Sequence, residues 1–157
     1  MARLRGRAPV GERCVAAVPH GHWKTTTFVA GLRLSGFDAT MLLDGPMDGL
    51  AFHTYVTEVL VASLKPGDIV VMDNLSAHKI AGVREAIEAA GARLLYLPPY
   101  SPDLNPIEMA FSKLKALLRK AAERTVERLW DAVAEALKAF DPSECANFFT
   151  AAGYGLA

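Results

Sequence analysis

The chain has 157 residues, of which 52% are apolar, and its 17 basic and 17 acidic residues give a net charge of zero. This length and composition indicate one globular domain with a hydrophobic core, and they exclude a disordered chain. No apolar run approaches the ~18 residues of a membrane-spanning helix, and none follows the basic N-terminus as a signal peptide would require. We therefore expect a cytoplasmic protein that spans no membrane.

The neutral total hides an uneven distribution of charge. Residues 1–35 contain six basic side chains and one acidic side chain, whereas residues 36–110 contain four and ten. A basic arm with Arg3, Arg5 and Arg7 beside an acidic middle is compatible with a metal site flanked by phosphate contacts. The alternative is that most of these charges are simply solvated, and the balanced total does not decide between the two.

The first third of the chain is predicted to be mainly strand. Residues 14–18 and 23–34 predict a hairpin across a turn at Pro19, because the second run is rich in β-branched and aromatic residues. Residues 39–43 predict another short strand. Residues 50–64 predict a helix, since their apolar side chains recur at helical spacing.

The middle of the chain predicts a βαβ unit. Ile69–Met72 is a continuous apolar run, which is typical of a strand buried on both faces of a sheet. Residues 78–90 predict a helix, and residues 93–97 predict the next strand. The two strands should be parallel neighbours, because short βαβ crossovers join strands in that way.

Two helices are predicted after a proline-rich loop. The first begins at Pro106, where a missing N–H has no cost, with Asn105 as N-cap. The second covers residues 125–140 and ends before Asp141-Pro142. The whole pattern predicts the α/β class, with a mixed sheet of an antiparallel meander and a parallel βαβ unit, flanked by helices.

Asp73 is a candidate site residue because it directly follows the apolar strand. Ligand sites gather at the carboxyl ends of strands in open α/β sheets. The alternative is that Asp73 caps the next turn, since Asp73-Asn74 is turn chemistry. His78, five residues later, would contact a phosphate, orient a water molecule or cap a helix.

Glu108 is the second candidate, and its structural explanation is strong. As the third residue of a helix it would complete a capping box with Asn105 and suit the helix dipole. Steps of four and three place Glu108, Ser112, Lys115 and Arg119 on one polar stripe. This stripe predicts either a carboxylate followed by a phosphate track or an ordinary solvated face.

Two further acids carry weaker predictions. Asp44 follows a short strand, but Asp44-Gly45-Pro46 is first of all a turn sequence. Asp103 lies inside the proline-rich loop and is expected to accept hydrogen bonds from loop N–H groups. We therefore expect a metal role for Asp73 and Glu108 before these two.

Two motifs, the first within the predicted βαβ unit and the second in the proline-rich loop after it, resemble the catalytic domain of DDE-type transposases. The similarity is to the bacterial insertion-sequence branch related to mariner elements. It is also consistent with the 34 residues between Asp73 and Glu108. The motifs are Val71-Met72-Asp73-Asn74-Leu75-Ser76-Ala77-His78-Lys79 and Tyr100-Ser101-Pro102-Asp103-Leu104-Asn105-Pro106-Ile107-Glu108.

The resemblance implies a single ribonuclease-H-like catalytic domain over residues 1–157. It implies DNA cleavage and strand transfer at insertion-sequence ends, with Asp73 and Glu108 as the second and third acids that hold Mg²⁺ or Mn²⁺ in a two-metal site. It implies DNA as partner, a homodimer as a further option, no small-molecule substrate, and a nucleoid-associated location. The residues expected to contact phosphates or support the metal ligands are Asn74, His78, Lys115, Arg119, Arg3, Arg5 and Arg7.

The resemblance also implies that part of the family pattern is missing. The first Asp of the family would lie upstream of Met1, as would a helix-turn-helix DNA-binding region and the first strand of the sheet. Two-metal chemistry fails when one of the carboxylates that act together is lost. We therefore expect this chain alone to be inactive, with rescue by Asp44 as a weaker option. The alternative function is a catalytically dead remnant that binds DNA or another subunit.

Overall fold

The structure, a computed structural model, describes residues 6–15 and 25–155. Its first sheet is an antiparallel hairpin. Strand β1, Thr26–Arg33, pairs with β2, Gly36–Asp44, and a bulge shifts the register between Val29 and Gly31. The two strands join through a two-residue turn before Gly36, whose φ of 128° suits glycine.

The second pair of the predicted meander is confirmed, since the predicted strand over residues 39–43 lies within β2 and pairs antiparallel with β1. Residues 14–18 were expected to pair with residues 23–34, but Cys14 and Val15 lie in exposed coil, and residues 16–18 are outside the described residues. Strand β2 follows β1 through Leu34 and Ser35. That pair is not a typical hairpin-turn dipeptide, so the turn has only a weak local signal.

Helix α1 follows the hairpin and confirms the prediction for residues 50–64. It runs through Gly49–Thr54, a π-helical segment Tyr55–Leu60 and a last turn Val61–Ser63. The Asp48 carboxylate caps its N-terminus by accepting a hydrogen bond from Ala51 N–H at 2.8 Å. The buried residues Phe52, Tyr55, Val56 and Leu60 lie on the predicted stripe.

The second sheet consists of β3, Ile69–Met72, and β4, Arg93–Tyr96, which are parallel as predicted. The predicted helix over residues 78–90 is wrong in its first part. A short 3₁₀ turn, Ser76–Lys79, is separated from α2, Val83–Ala89, by an extended Ile80 and a left-handed Gly82. Burial on both faces of β3 is wrong for its first residue, since Ile69 is 54% exposed.

Three helices complete the chain: α3 Pro106–Ala121, α4 Val126–Leu137 and α5 Pro142–Ala151. Helix α5 was not predicted, because Asp141-Pro142 was interpreted only as a helix end. The same pair starts a new helix, with proline in the first turn and the Asp141 carboxylate accepting from Glu144 N–H at 3.0 Å. Among the helices of residues 6–15 and 25–155, none combines the length and the apolar character that crossing a bilayer requires.

Two hydrophobic cores lie on opposite faces of the strands. Side chains alternate along β1, so Val29 packs against the first core, while Phe28 and Leu32 pack against the second. The first core, toward α1 and α2, contains Phe52, Tyr55, Val56, Leu60, Val83, Ile87, Ala92 and Leu94. The second, toward α3, α4 and α5, contains Ala110, Leu114, Leu118, Val133, Phe140 and Cys145. The α/β class is therefore confirmed as strands between two helical layers.

Within the described residues, the strands form two separate two-stranded sheets. The Arg33 guanidinium connects them at one end. Its Nε donates to Asp38 at 2.6 Å, and its Nη2 donates to Asp68 at 2.7 Å and to the Ser63 carbonyl at 3.0 Å. One long side chain thus links the end of β1 to the residue before β3.

The same ion pairs perturb both carboxyl groups. Burial alone would raise the pKa of Asp38, but hydrogen bonds from Arg33 and from Ala39 N–H outweigh it, so the pKa is lowered. The pKa of Asp68 is lowered mainly by the Arg33 hydrogen bond and also by Lys65 N–H. Both pKa values lie below the ordinary value of 3.8.

Replacing Arg33 by Met should therefore destabilise the protein in a pH-dependent way. We expect a loss of about 1–2 kcal/mol in the free energy of unfolding at pH 7, a modest value because solvent screens the partly exposed groups. A lowered carboxyl pKa stabilises the fold above the unfolded pKa, and this stabilisation is lost as the pH falls through the folded pKa. Urea unfolding at pH 7 and pH 3 should show a smaller difference between the two proteins at pH 3; an equal difference would assign the effect to packing.

Candidate active site

A cleft of about 260 Å³ lies between the two sheets. Strands β1 and β3 form its two sides, and the first turn of α3 lies along it together with the turn that follows β3. The cleft is lined by residues 28–32, residues 69–73, Phe52, Tyr55, Leu60, His78, residues 105–108, Phe111, Phe149 and Tyr154. It therefore brings Asp73, His78 and Glu108 to one place.

Asp73 leaves the end of β3 with its carboxylate held in a fixed orientation. Its Oδ1 accepts a hydrogen bond from Leu75 N–H at 3.2 Å, and His78 Nδ1 lies 2.5 Å from the same oxygen, although off the direction of a hydrogen bond. The turn-capping interpretation is thus correct. It does not exclude the other interpretation, since Asp73 also lines the cleft and is 38% exposed there.

His78 is held by two aromatic residues. Its ring lies on Phe52 with centroids 4.4 Å apart, and its carbonyl accepts a hydrogen bond from the Tyr96 hydroxyl at 2.7 Å. It belongs to a 3₁₀ turn and not to a helix N-terminus, so the helix-capping alternative is wrong. The contacts fix its ring beside Asp73.

Asn74 supplies an unusual polar atom next to Asp73. Its Oδ1 is buried and has no hydrogen-bond partner among residues 6–15 and 25–155. Buried polar atoms are normally paired, so an orphan of this kind calls for an explanation. Amide oxygens are among the ligands that Mg²⁺ and related hard cations take.

Glu108 is the third residue of α3 and is exposed along the same cleft. Asn105 is the N-cap as predicted, but its side chain makes no capping hydrogen bond. Within the part of the chain that the structure describes, the Glu108 carboxylate makes no hydrogen bond or ion pair. Its predicted capping box is therefore not formed, and the carboxylate is free to bind a ligand.

The predicted polar stripe on α3 is exposed. Ser112, Lys115 and Arg119 all face solvent on the same side of the helix as Glu108. Arg7 lies in exposed coil, whereas Arg3 and Arg5 fall outside the described residues. The stripe thus provides a row of exposed polar side chains that starts with Glu108 at the cleft and continues to the cations Lys115 and Arg119.

The donor chemistry fits a hard divalent cation only in part. The Asp73 and Glu108 carboxylates are oxygen donors of the kind that Mg²⁺ and Mn²⁺ prefer, whereas Asn74 is not part of the cleft lining. Over the described residues, no group of three His, Cys, Asp or Glu side chains is close enough together to hold a metal ion. Asp44 is exposed at the end of β2 and is not part of the cleft lining, so it does not supply a third acid there.

Several residues that position the site were missed in the sequence. The Tyr154 hydroxyl donates to the Leu104 carbonyl at 3.0 Å and so anchors the proline-rich loop from 50 positions away. Tyr96 reaches His78 across 18 positions. Among the residues that hold His78, only Phe52 could be identified from the sequence, because it belongs to the predicted apolar stripe of α1.

The comparisons with known proteins identify the family. The chain matches the family described as DDE superfamily endonuclease over residues 1–140. It therefore belongs to the DDE endonucleases, as the two motifs indicated. No curated protein matches it in sequence.

Solved structures of the Mos1 mariner transposase share this fold. The paired-end complex with Mn matches with a TM-score of 0.66 and 18% identity, over 96% of this chain and 47% of that chain. The pre-cleavage Mos1 transpososome matches with a TM-score of 0.69 and 17% sequence identity, over 100% of this chain and 53% of that chain. The Mos1 catalytic domain with Raltegravir and Mn matches with a TM-score of 0.59 and 16% sequence identity, over 85% of this chain and 83% of that chain. The ribonuclease-H-like fold is thus confirmed, and the chain spans about half the length of the Mos1 chains in the two complexes.

The two tyrosine hydroxyls offer a matched test of how the site is held. Tyr96→Phe removes the bond to the His78 carbonyl and should weaken the Ser76–Lys79 turn by about 1 kcal/mol, which raises local amide exchange roughly fivefold. Hydrogen–deuterium exchange of the segment around His78 measures this. Tyr154→Phe is the control, because it should loosen the loop at Asn105 and leave His78 unchanged; equal effects of both variants at both segments would contradict local anchoring.

Proposed function

We propose that this chain is a transposase catalytic domain, in which Asp73 and Glu108 bind a divalent cation for DNA strand cleavage and transfer at insertion-sequence ends. One observation carries the proposal: two carboxylates separated by 34 residues in the sequence line the same cleft at the end of β3. Family membership supports the general activity of a DDE endonuclease. The residue roles are our own assignment.

The proposed cation is Mg²⁺ or Mn²⁺, held by the carboxylates of Asp73 and Glu108. When bound, such an ion activates water for phosphodiester cleavage and offsets the charge that develops on phosphate oxygens. The chain's own residues would position the ligands. Leu75 N–H donates to Oδ1 of Asp73, and His78 Nδ1 lies beside the same atom, so the other carboxylate oxygen would be left for the ion.

DNA is the proposed substrate, and α3 is the proposed contact surface. Mos1 structures include a paired-end complex with the left transposon end. In this chain, Lys115 and Arg119 follow Glu108 along one exposed face, so a phosphate backbone entering the cleft would pass them. Arg7, and with it Arg3 and Arg5, would add sequence-independent phosphate contacts, and Asn74 and His78 would support the carboxylate.

The metal assignment predicts a pair of sensitive residues. Asp73→Asn and Glu108→Gln should each weaken Mn²⁺ binding to the chain by about tenfold or more, because each removes one of the two anionic ligands. Calorimetric titration or the electron paramagnetic resonance of Mn²⁺ measures the affinity without requiring cleavage.

Glu127→Gln is the matched control for Glu108, since Glu127 also lies in the first turn of an exposed helix but not at the cleft. Its Mn²⁺ affinity should equal that of the wild type. Equal weakening by all three substitutions, or by none, would contradict a site built from Asp73 and Glu108.

A second candidate function, a DNA-binding module without cleavage, is favoured by one observation. No metal-binding group of three acids or other ligands exists within the described ranges, whereas the chemistry of the family requires carboxylates that act together. A plasmid-nicking assay with Mg²⁺ or Mn²⁺ separates the candidates. Nicking that disappears in Asp73→Asn supports the enzyme, and DNA binding without nicking supports the module.

Both candidates require DNA contacts on α3, which salt dependence can test. The double variant Lys115→Ala, Arg119→Ala should reduce the slope of log affinity against log salt by about 0.9 for each phosphate that is no longer neutralised, which is roughly 2 in total. Fluorescence anisotropy of a labelled duplex at several salt concentrations gives the slope. The charge-matched control Arg128→Ala, Lys138→Ala, at exposed positions on α4 and its C-cap, should leave the slope unchanged; an equal reduction in both would indicate diffuse attraction.

A further inference from the structure

Helix α3 begins without the side-chain cap that usually holds a helix N-terminus. Asn105 is its N-cap, yet the Asn105 side chain accepts no hydrogen bond from the first turn. The first N–H groups of a helix have no partner within the helix, so an uncapped end frays unless another group holds it. Glu108 N–H donates to the Asn105 carbonyl at 3.1 Å and so belongs to this turn. The Glu108 carboxylate therefore lies on the part of α3 that needs support from elsewhere.

The support comes from residues 142–154, which we call the α5 segment. The Tyr154 hydroxyl donates to the Leu104 carbonyl at 3.0 Å, and Leu104 directly precedes the N-cap of α3. The Tyr154 ring lies edge-on to Phe149 with ring centroids 5.9 Å apart, and both side chains line the cleft beside residues 105–108. An aromatic side chain in a fixed orientation thus holds the loop at the point where α3 begins.

Other contacts hold the start of the α5 segment against α3. Lys113, on α3, donates to the Ala139 carbonyl at 2.6 Å and forms an ion pair with Glu144. Cys145 is fully buried in the second core. These contacts keep α5 in place independently of Tyr154. Removal of the Tyr154 hydroxyl should therefore release the loop without displacing the helix.

We propose that Tyr154 is a positioning residue for Glu108 in the cation site of the proposed function, on which this inference rests. Its hydroxyl replaces the absent side-chain cap: while it holds Leu104, the first turn of α3 stays formed and Glu108 stays at the cleft. When the turn frays, the apparent affinity for the cation falls in proportion to the fraction of molecules in which the turn is formed. The family match covers residues 1–140, so Tyr154 adds a support that lies beyond the matched residues.

The Mn²⁺ affinity of Tyr154→Phe tests this role. The variant keeps the ring against Phe149 and removes the donor to Leu104. Mn²⁺ should bind about threefold more weakly, within the limit of about fivefold that one net hydrogen bond can supply. Electron paramagnetic resonance distinguishes free from bound Mn²⁺ and so gives the affinity without cleavage. Thr150→Val is the matched control, because it removes a hydroxyl of the same segment whose hydrogen bond, to the Ala146 carbonyl, stays within α5; its affinity should equal that of the wild type.

Double variants separate the positioning of Glu108 from a general effect on the fold. In a Glu108→Gln background the anionic ligand is already lost, so the addition of Tyr154→Phe should not weaken Mn²⁺ binding further. In an Asp73→Asn background Glu108 is still present, and the effect of about threefold should persist. Equal further weakening in both backgrounds would overturn a role that acts through Glu108.

Amide exchange without any cation locates the change. The N–H groups of residues 110–112 bond to carbonyls of the first turn in an α-helix, so they should exchange up to about fivefold faster in Tyr154→Phe and at the wild-type rate in Thr150→Val. Unchanged exchange there, or an unchanged Mn²⁺ affinity, would overturn the role of Tyr154 alone. A wild type that binds no Mn²⁺, or whose binding is indifferent to Asp73→Asn and Glu108→Gln, would overturn the proposed function as well.

Discussion

The parallel pairing of β3 with β4 is the constraint on which the candidate site depends. Its ladder is extended at both ends by Arg93 N–H donating to the Asp68 carbonyl and Leu97 N–H to the Met72 carbonyl, each at 2.8 Å. The strand therefore ends at Met72, and Asp73 is the first residue beyond the sheet. A register slip of one residue would turn Val70 and Met72 away from the first core, so packing holds Asp73 at this edge.

The rest of the site comes from elements that the two cores hold against this edge. Helix α3 reaches it because Phe111 packs on Phe28 and Phe37 with ring centroids about 6 Å apart, which sets the position of its first turn. Helix α1 contributes Phe52 beneath His78. The separate sheets thus share a site without sharing a backbone hydrogen bond among the described strands, because helices on both faces and Arg33 hold them together.

The parts of the fold that sequence could predict are those with local causes. The apolar run of β3 and the proline at the start of α3 each act within a few residues, and both predictions are confirmed. The break before Gly82 was missed, because a single left-handed glycine gives a weak local signal. The hydroxyl bonds that hold the site depend on tertiary structure, so no local pattern could reveal them.

The competing interpretations of the two acids also have a physical resolution. For Asp73, the turn and the site are compatible, since the turn uses Oδ1 and thereby fixes the direction of the carboxylate toward the cleft. For Glu108, the capping box and the ligand site exclude each other, because a capping box would use the carboxylate that a ligand needs. The N-cap side chain of Asn105 makes no such bond, and Glu108 remains at the cleft on a rigid helix end whose dipole favours its negative charge. The chain therefore presents two carboxylates at one cleft, one directly after a strand and one in the first turn of a helix, and this is the arrangement on which the proposed cation site rests.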